Sequence, residues 1–212
     1  MPEIHNNAVP ADIVDRVKHV LTEDRERPGR IKFSGYKVSR EHRQRMASLP
    51  QHLQIPRSQW ATHPNYVGRF QMPNFHHEFR QELQRTIKSL WAAVQRPSEA
   101  SQHLSDALAE WRDFETRMAK HIRIEEGAIF PSLARHYPAL DFSFLYEDHE
   151  ELGQYEKHIG ELLQTASSSE DAAEALRATV KFDLEFMDHL GEEEEFVVPL
   201  CLSTKHCALH GR

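Results

Sequence analysis

Residues 121–131 read HIRIEEGAIFP and residues 189–199 read HLGEEEEFVVP. Both fit His-x3-Glu-Glu-x4-Pro. On a helix, a His and a Glu four residues apart share one face, with their Cβ atoms about 5–6 Å apart. An imidazole and a carboxylate so placed can hold one metal ion between them, and the chain makes this offer twice, at His121/Glu125 and at His189/Glu193.

The elements that must position these pairs are long helices. From about residue 71 the apolar residues keep a 3.6-residue period. The first predicted helix covers about 73–95, with Phe79, Leu83, Ile87, Leu90 and Val94 on one stripe. The second covers about 99–136, with Leu104, Leu108, Trp111, Phe114, Met118, Ile122 and Ile129. The third covers about 139–166, with Leu145, Leu152, Tyr155, Ile159, Leu162 and Leu163. The polar SSSED at 167–171 is a turn and N-cap signal. A fourth helix follows over about 170–203, with Leu176, Val180, Phe186, Val197 and Leu200. No alternating Val/Ile/Thr run suggests a strand. Four amphipathic helices joined by short links predict an all-α, antiparallel four-helix bundle.

The repeat extends beyond the motif. Phe114 and Phe182 stand seven before the motif histidines, Met118 and Phe186 three before, and Ile129 and Val197 eight after. The second and fourth helices therefore read as duplicated halves, so the first and third should match as well. His149, in DHEEL, opens the stripe of the third helix. In the first helix His76 and His77 compete. From His76 the stripe continues through Phe79, Leu83, Ile87 and Leu90, whereas His77 is turned about 100° toward the face of Arg80, Gln81 and Gln84. Periodicity selects His76 as the inward residue and leaves His77 facing solvent or donating to a ligand.

Each half thus supplies His, His and Glu, and the candidate metal site is His76, His121, Glu125, His149, His189 and Glu193. One histidine among the fifteen in the chain would be an ordinary core or boundary residue, and Glu192 to Glu195 alone would read as a solvated charge run. The repetition argues against both, because burying carboxylates and imidazoles with nothing bound costs several kcal/mol per uncompensated charge. Mixed imidazole and carboxylate ligation suits iron or manganese rather than magnesium or calcium. The absence of a thiolate from the motif argues against structural zinc. Six protein ligands leave two ions under-coordinated. The expectation is a pair about 3–4 Å apart, bridged by Glu125 and Glu193, with water, hydroxide, an oxo bridge or a diatomic completing each shell. Glu126, Glu194, Asp148 and Glu150 are candidates to fix the imidazole tautomers.

Composition bounds the rest. The chain has 212 residues, a net charge of −7 and 39% hydrophobic residues, which suits one domain with an appendage. The expected division is an N-terminal helical and irregular extension over 1–70, the bundle over 71–204 and a short tail over 205–212. The first 69 residues hold six of the eleven prolines, and the only helix expected there spans about 11–22, with Ile13, Val17 and Val20/Leu21 on one face. RPGR, SLPQ, IPRS and THPN mark turns and short helical pieces. This region lacks the apolar residues for its own core and must pack on the bundle or move. Nine Lys/Arg fall between 25 and 57 against two glutamates. They form either an anion-binding patch or a basic strap on an acidic bundle. The strap is preferred, since the net charge and the lack of a nucleic-acid module argue against nucleic acid as a partner. No apolar run approaches the ~20 residues that span a bilayer. No signal pattern opens the chain either, so the expected location is the cytoplasm. Cys201 and Cys207 are expected to be incidental thiols.

On these residues the chain resembles the hemerythrin-like, or HHE cation-binding, domains. HHEFRQEL, IEEGAIFPSL after His121, DHEEL and HLGEEEEFVVPL are similar to that family's helix signatures, over about residues 72–203. The resemblance implies a non-heme di-iron centre that takes dioxygen, peroxide or nitric oxide, with His76, His121, Glu125, His149, His189 and Glu193 as ligands. One position departs from it. The family's oxygen carriers have a second histidine four residues after the third-helix ligand, where this chain has Gly153. One iron thus loses an imidazole, and the two ions become nearly equivalent. Reversible carriage needs one saturated and one open iron, so the expectation moves from storage toward binding or sensing of small oxidants. The alternative is an enzyme, a di-iron oxidase, oxygenase or catalase/peroxidase-like catalyst acting on a small substrate. Its N-terminal region would roof the site, with Trp60, Tyr66 and Phe70 as pocket walls or as simple anchors, and Tyr155 as an extra ligand. A third reading is a regulatory module that changes shape when metal leaves.

Overall fold

The computed structural model describes residues 9–22, 47, 49–60, 62–66 and 72–204. Every regular element among them is helical. In chain order they are α1 (Ala11–Thr22), a 3-10 turn (Gln51–Leu53), α2 (Arg57–Trp60), α3 (Met72–Gln95), a 3-10 turn (Pro97–Glu99) and α4 (Ala100–Ile124). A π turn (Glu125–Ile129), α5 (Phe130–His136), α6 (Ser143–Thr165) and α7 (Ser169–Ser203) follow. The fold is the expected all-α bundle. Helices α3, α4, α6 and α7 pack in a ring, in which α3 touches α4 and α7, and α6 touches α4 and α7.

Two boundaries differ from expectation. The second helix is not continuous to residue 136. Pro131 has no N–H to give and its ring would crowd the carbonyl four residues back. Ahead of it the chain widens into a π turn, and the N–H of Phe130 bonds to the Glu125 carbonyl five residues earlier. The third helix starts at 143 rather than 139, because Tyr137–Leu140 forms a turn and the Asp141 carboxylate accepts the Ser143 N–H at 2.9 Å. The predicted N-cap of the last helix is present as a full capping box. Ser168 Oγ accepts the Asp171 N–H, and the Asp171 carboxylate accepts the Ser168 N–H. The Ser167 N–H, followed by donors of Ser168, holds the Asp171 carboxyl below its usual range.

The apolar stripes build two separate clusters. The larger holds Phe79, Leu83, Ile87, Trp111, Phe114, Met118, Leu152, Ile159, Val180, Phe182 and Phe186. The smaller holds Met72, Ile129, Phe130, Leu145, Phe196, Val197 and Leu200. All four long segments run from one cluster to the other, and the six candidate ligands fall on the stretches between. The site is therefore a polar layer between two apolar ones.

The described parts of the first 70 residues pack on the bundle at both clusters. Helix α1 buries Val14, Val17 and Val20, with Ile13 only partly covered, and Arg16 Nη2 reaches the fully buried Asp183 Oδ2 at 2.6 Å. Leu49, Leu53 and Trp60 bury themselves in the smaller cluster. The basic run expected over 25–57 lies outside the described residues except for Arg57, and the tail from 205 lies outside them as well. Cys201 is buried and disulfide-bonded, which corrects the expectation of an incidental thiol. No described helix is long and apolar enough to cross a membrane.

Candidate metal centre

Each ligand is presented by the residue that periodicity selects. His76 is fully buried on α3, while His77 is only partly covered. His121 closes α4 and Glu125 opens the π turn. His149 is on α6, and His189 and Glu193 are one turn apart on α7. All six are buried. The ligand atoms of His76, His121, Glu125 and Glu193 lie within 4.8 Å of one another, and so do those of His149, His189 and Glu193. Glu193 belongs to both groups. Glu125 also reaches across, its Oε2 lying 3.6 Å from His149 Nε2 while its Oε1 is 2.9 Å from His121 Nε2.

These contacts are close without being hydrogen bonds. Both carboxylate oxygens of Glu125 and of Glu193, and Nε2 of His149 and His189, are buried with no hydrogen-bond partner among the described residues. His76 Nε2 and His121 Nε2 are the exception, sharing one hydrogen bond at 3.2 Å whose direction depends on the ring tautomers. Buried polar groups are ordinarily satisfied. Four carboxylate oxygens and two imidazole nitrogens left converging on one another are what a cation, or two, would satisfy. The donor set therefore fits a metal.

The far sides of the rings are held by carboxylates. Glu126 Oε1 is 2.9 Å from His149 Nδ1, and Glu194 Oε1 is 3.1 Å from His76 Nδ1. His189 Nδ1 has no such bond, Asp148 Oδ2 standing 3.5 Å away. Such partners fix the tautomer that leaves Nε2 available and raise its basicity. Of the candidates for this role, Glu150 is exposed. The pairing is crossed, since the second Glu of each motif holds a histidine of the other half.

Aromatic rings close the site. Phe79 lies 5.2 Å from the His121 ring, and Phe79, Phe114, Phe182 and Phe186 pack edge to face or stacked beneath it. Phe130 stacks on His149 from the other cluster at 5.7 Å. Water is thereby excluded from both sides of the polar layer, which strengthens every electrostatic interaction in it.

A family model described as the hemerythrin HHE cation binding domain matches residues 69–201. The chain belongs to this family. No curated protein and no solved structure gives a match. Family membership marks this HHE domain as cation-binding, and the buried His/Glu groups are where an ion could be held.

The HHE layer holds protons where it would hold cations. Burial opposes a charge on His76, but Glu193 and Glu194 outweigh it and push its pKa up to about 9. His149 behaves likewise, with burial outweighed by Glu193, Glu126 and Glu125, and also reaches about 9. Burial and the neighbouring Glu193 push Glu125 well above the usual carboxylate range. Burial would raise Glu193 too, but His189, His149 and His76 hold it well below. Burial, followed by the charge on His76, lowers His121 to about 3. A metal must displace the protons on His76, His149 and Glu125 to bind.

Three features escaped the sequence reading. Arg80, assigned to the face of His77, is buried, and its Nη1 bonds to Glu194 Oε1 at 2.8 Å. Its place four residues after His76 was the available signal, because i and i+4 share a face. Glu192 and Glu194 are buried, so the glutamate run is solvated only at Glu195. Arg57 Nη1 reaches Glu194 Oε2 at 2.8 Å from outside the bundle. One other expectation is corrected, and one alternative left open is decided. Tyr155 packs against the larger cluster with the Lys181 ammonium 4.9 Å over its ring, so it is no extra ligand. Trp60 is buried in the smaller cluster and donates its indole N–H to the Ile55 carbonyl at 2.9 Å, the geometry of an anchor. Phe70 lies outside the described residues. At Gly153 nothing lies within 4 Å of where a Cβ would be, so the position is open as well as side-chain-free.

Proposed function

We propose that the chain is a non-heme di-iron protein of the hemerythrin type, which binds or senses dioxygen, peroxide or nitric oxide at a His4Glu2 centre. The observation that carries this reading is the set of unbonded Glu125 and Glu193 oxygens facing four buried imidazoles. In this reading His76 and His121 hold one ion and His149 and His189 the other, while Glu193 and Glu125 span the pair. Manganese is the second candidate for the same donors. When bound, the two ions supply reversible one-electron changes and open coordination positions for a small oxidant. The chain's own contribution is different. Glu126 and Glu194 orient the His149 and His76 rings, the phenylalanines exclude water, and His76, His149 and Glu125 give up their protons when metal binds. Residues 71–204 are the working unit, 1–70 an extension whose described parts pack on it, and the cytoplasm the expected location.

The alternative, an oxidase, oxygenase or peroxidase-like enzyme roofed by the N-terminal region, finds less support. Trp60 is turned into an anchoring contact and Tyr66 packs partly buried in the same cluster. Both readings are tested on the full-length chain produced with iron. The expected result is close to two irons per chain and near-ultraviolet charge-transfer absorption that responds to dioxygen, peroxide or nitric oxide. Well under one iron per chain, with no such absorption, would sink the proposal. Turnover of peroxide or of an organic substrate would favour the alternative.

A further inference from the structure

Glu194 is 1% exposed at its side chain and is shared by one imidazole and two guanidinium groups. Its Oε1 takes the ring N–H of His76 at 3.1 Å and Arg80 Nη1 at 2.8 Å, and its Oε2 pairs with Arg57 Nη1 at 2.8 Å. His76 and Arg80 are neighbours on α3. Arg57 comes from α2, across residues outside the bundle. Its guanidinium also sits over the Trp60 ring at 5.4 Å, so a cation–π contact and a buried carboxylate fix it from two sides.

The segment that carries Arg57 is a formed structure. Gln54 Nε2 bonds to the Leu49 carbonyl at 2.7 Å, and the Trp60 indole N–H bonds to the Ile55 carbonyl. Leu49, Leu53 and Trp60 bury against the cluster of Ile129, Phe130, Phe196 and Val197. Those four residues stand two to four positions after the second glutamate of each Glu-Glu pair. The segment therefore covers the end of the bundle on which both motif copies finish, and its one ionic contact with the site is made to the carboxylate that orients a candidate ligand.

We propose that Arg57 is a positioning residue for the metal centre, acting through Glu194 on His76, and that docking of segment 49–60 and metal occupancy stabilise each other. The inference rests on the reading of the six residues as a metal site. An oriented Glu194 keeps the His76 proton on Nδ1 and leaves Nε2 to the ion. Removing Arg57 frees one oxygen of Glu194 to turn away. Any effect of the segment on metal affinity must be matched by an equal effect of metal on docking, because coupling between two sites is reciprocal.

The test uses the full-length chain loaded anaerobically with ferrous iron, as wild type, R57Q and R57K. Two quantities are read, the rate at which a chromogenic chelator strips iron and the amide hydrogen exchange of residues 49–60 with and without iron. In the wild type, iron should slow exchange across 49–60. In R57Q iron should leave about tenfold faster, and the slowing at 49–60 should vanish while the slowing in α3 and α7 remains. R57K, which keeps the charge, should recover part of both. Equal stripping rates in wild type and R57Q, or iron-induced slowing at 49–60 that persists in R57Q, would overturn the inference and leave the metal site standing. A wild-type chain that takes up no iron would overturn both together.

Discussion

The motif copy at 121–131 and the copy at 189–199 have the same residue types at the same spacing, but they sit in different surroundings. In the first, the helix opens into a π turn at Glu125, and Glu126, 38% exposed, holds His149 with no arginine contact among its described pairings. In the second, the helix runs unbroken past Pro199, and Glu194 is enclosed with Arg80 and Arg57 around it. The difference in arginine bracing has a counterpart at one register position. Four residues after His76 stands Arg80, and four residues after His149 stands Gly153. A metal layer built on a duplicated pattern has thus been given one braced side and one loose side. The spacing says where ligands go, and the neighbours decide how firmly they are held.

The largest expected effect separates the two motif glutamates. Glu193 belongs to both candidate ion groups and Glu125 to one. Glu193→Ala should leave the chain with almost no bound metal, whereas Glu125→Ala should retain about one ion. Metal content per chain after desalting decides it, and equal losses in the two variants would mean that Glu125 is shared as fully as Glu193.

Next come the outer carboxylates. Glu194→Gln leaves Arg80 buried beside an amide, and breaking a buried pair in this way costs about 3–5 kcal/mol. Glu126→Gln removes a half-exposed partner and should cost less than about 1 kcal/mol. Denaturant unfolding of the metal-free variants measures both. Similar costs would remove the distinction between a braced and a loose side.

A smaller change should bring the loose side closer to the braced one. Gly153→Arg puts a guanidinium at the position equivalent to Arg80, where a Cβ meets nothing within 4 Å. It should slow metal release by up to about tenfold and add roughly 0.5–1 kcal/mol to the metal-free helix by replacing a mid-helix glycine. Chelator stripping rates and unfolding curves report the two effects separately.

The smallest effect is a pH signature of the second half alone. Seven residues after His76 is Leu83, but seven after His149 is Glu156. Burial, followed by the charge of Glu115, pushes Glu156 up to about 8. Between its ordinary value of 4.5 and about 8 the folded chain keeps a proton that the unfolded chain has lost. Stability therefore falls as pH rises through that window. Glu156→Gln should remove the fall, so its Tm advantage over the wild type should be absent near pH 4 and grow toward about pH 8. A constant difference across that range would count against the assignment.

Much of this was legible in the chain because it depends on period. The stripes located the four long helices, the repeat located all six candidate ligands, and the turn between helix faces separated His76 from His77. Glu126 and Glu194 could be named as ring partners since each is adjacent in sequence to a ligand. What stayed hidden depends on three-dimensional neighbours or on single backbone events. The π turn is a single backbone event of the first copy, since the second runs through Pro199 without one, and an apolar period of 3.6 does not register one extra residue. Arg80 looked solvated because a long cationic side chain is ordinarily placed in water, and only the approach of Glu194 from another helix buries it. Arg57 belongs to a stretch with no periodicity, and its partner lies on the last helix.

The crossed holding of the rings has a consequence for symmetry. Glu126 of the first half grips His149 of the second, and Glu194 of the second grips His76 of the first. This is the relation found at an isologous interface, where a residue i touches j and its copy j touches i. Neither half contains a complete shell of its own, because the carboxylate that orients its first histidine is on the other. A single half expressed alone would have to pair with a second copy of itself to reproduce the layer. The covalent chain between His136 and Ser143 is thus a tether holding together what is, in its contacts, a dimer of two similar proteins.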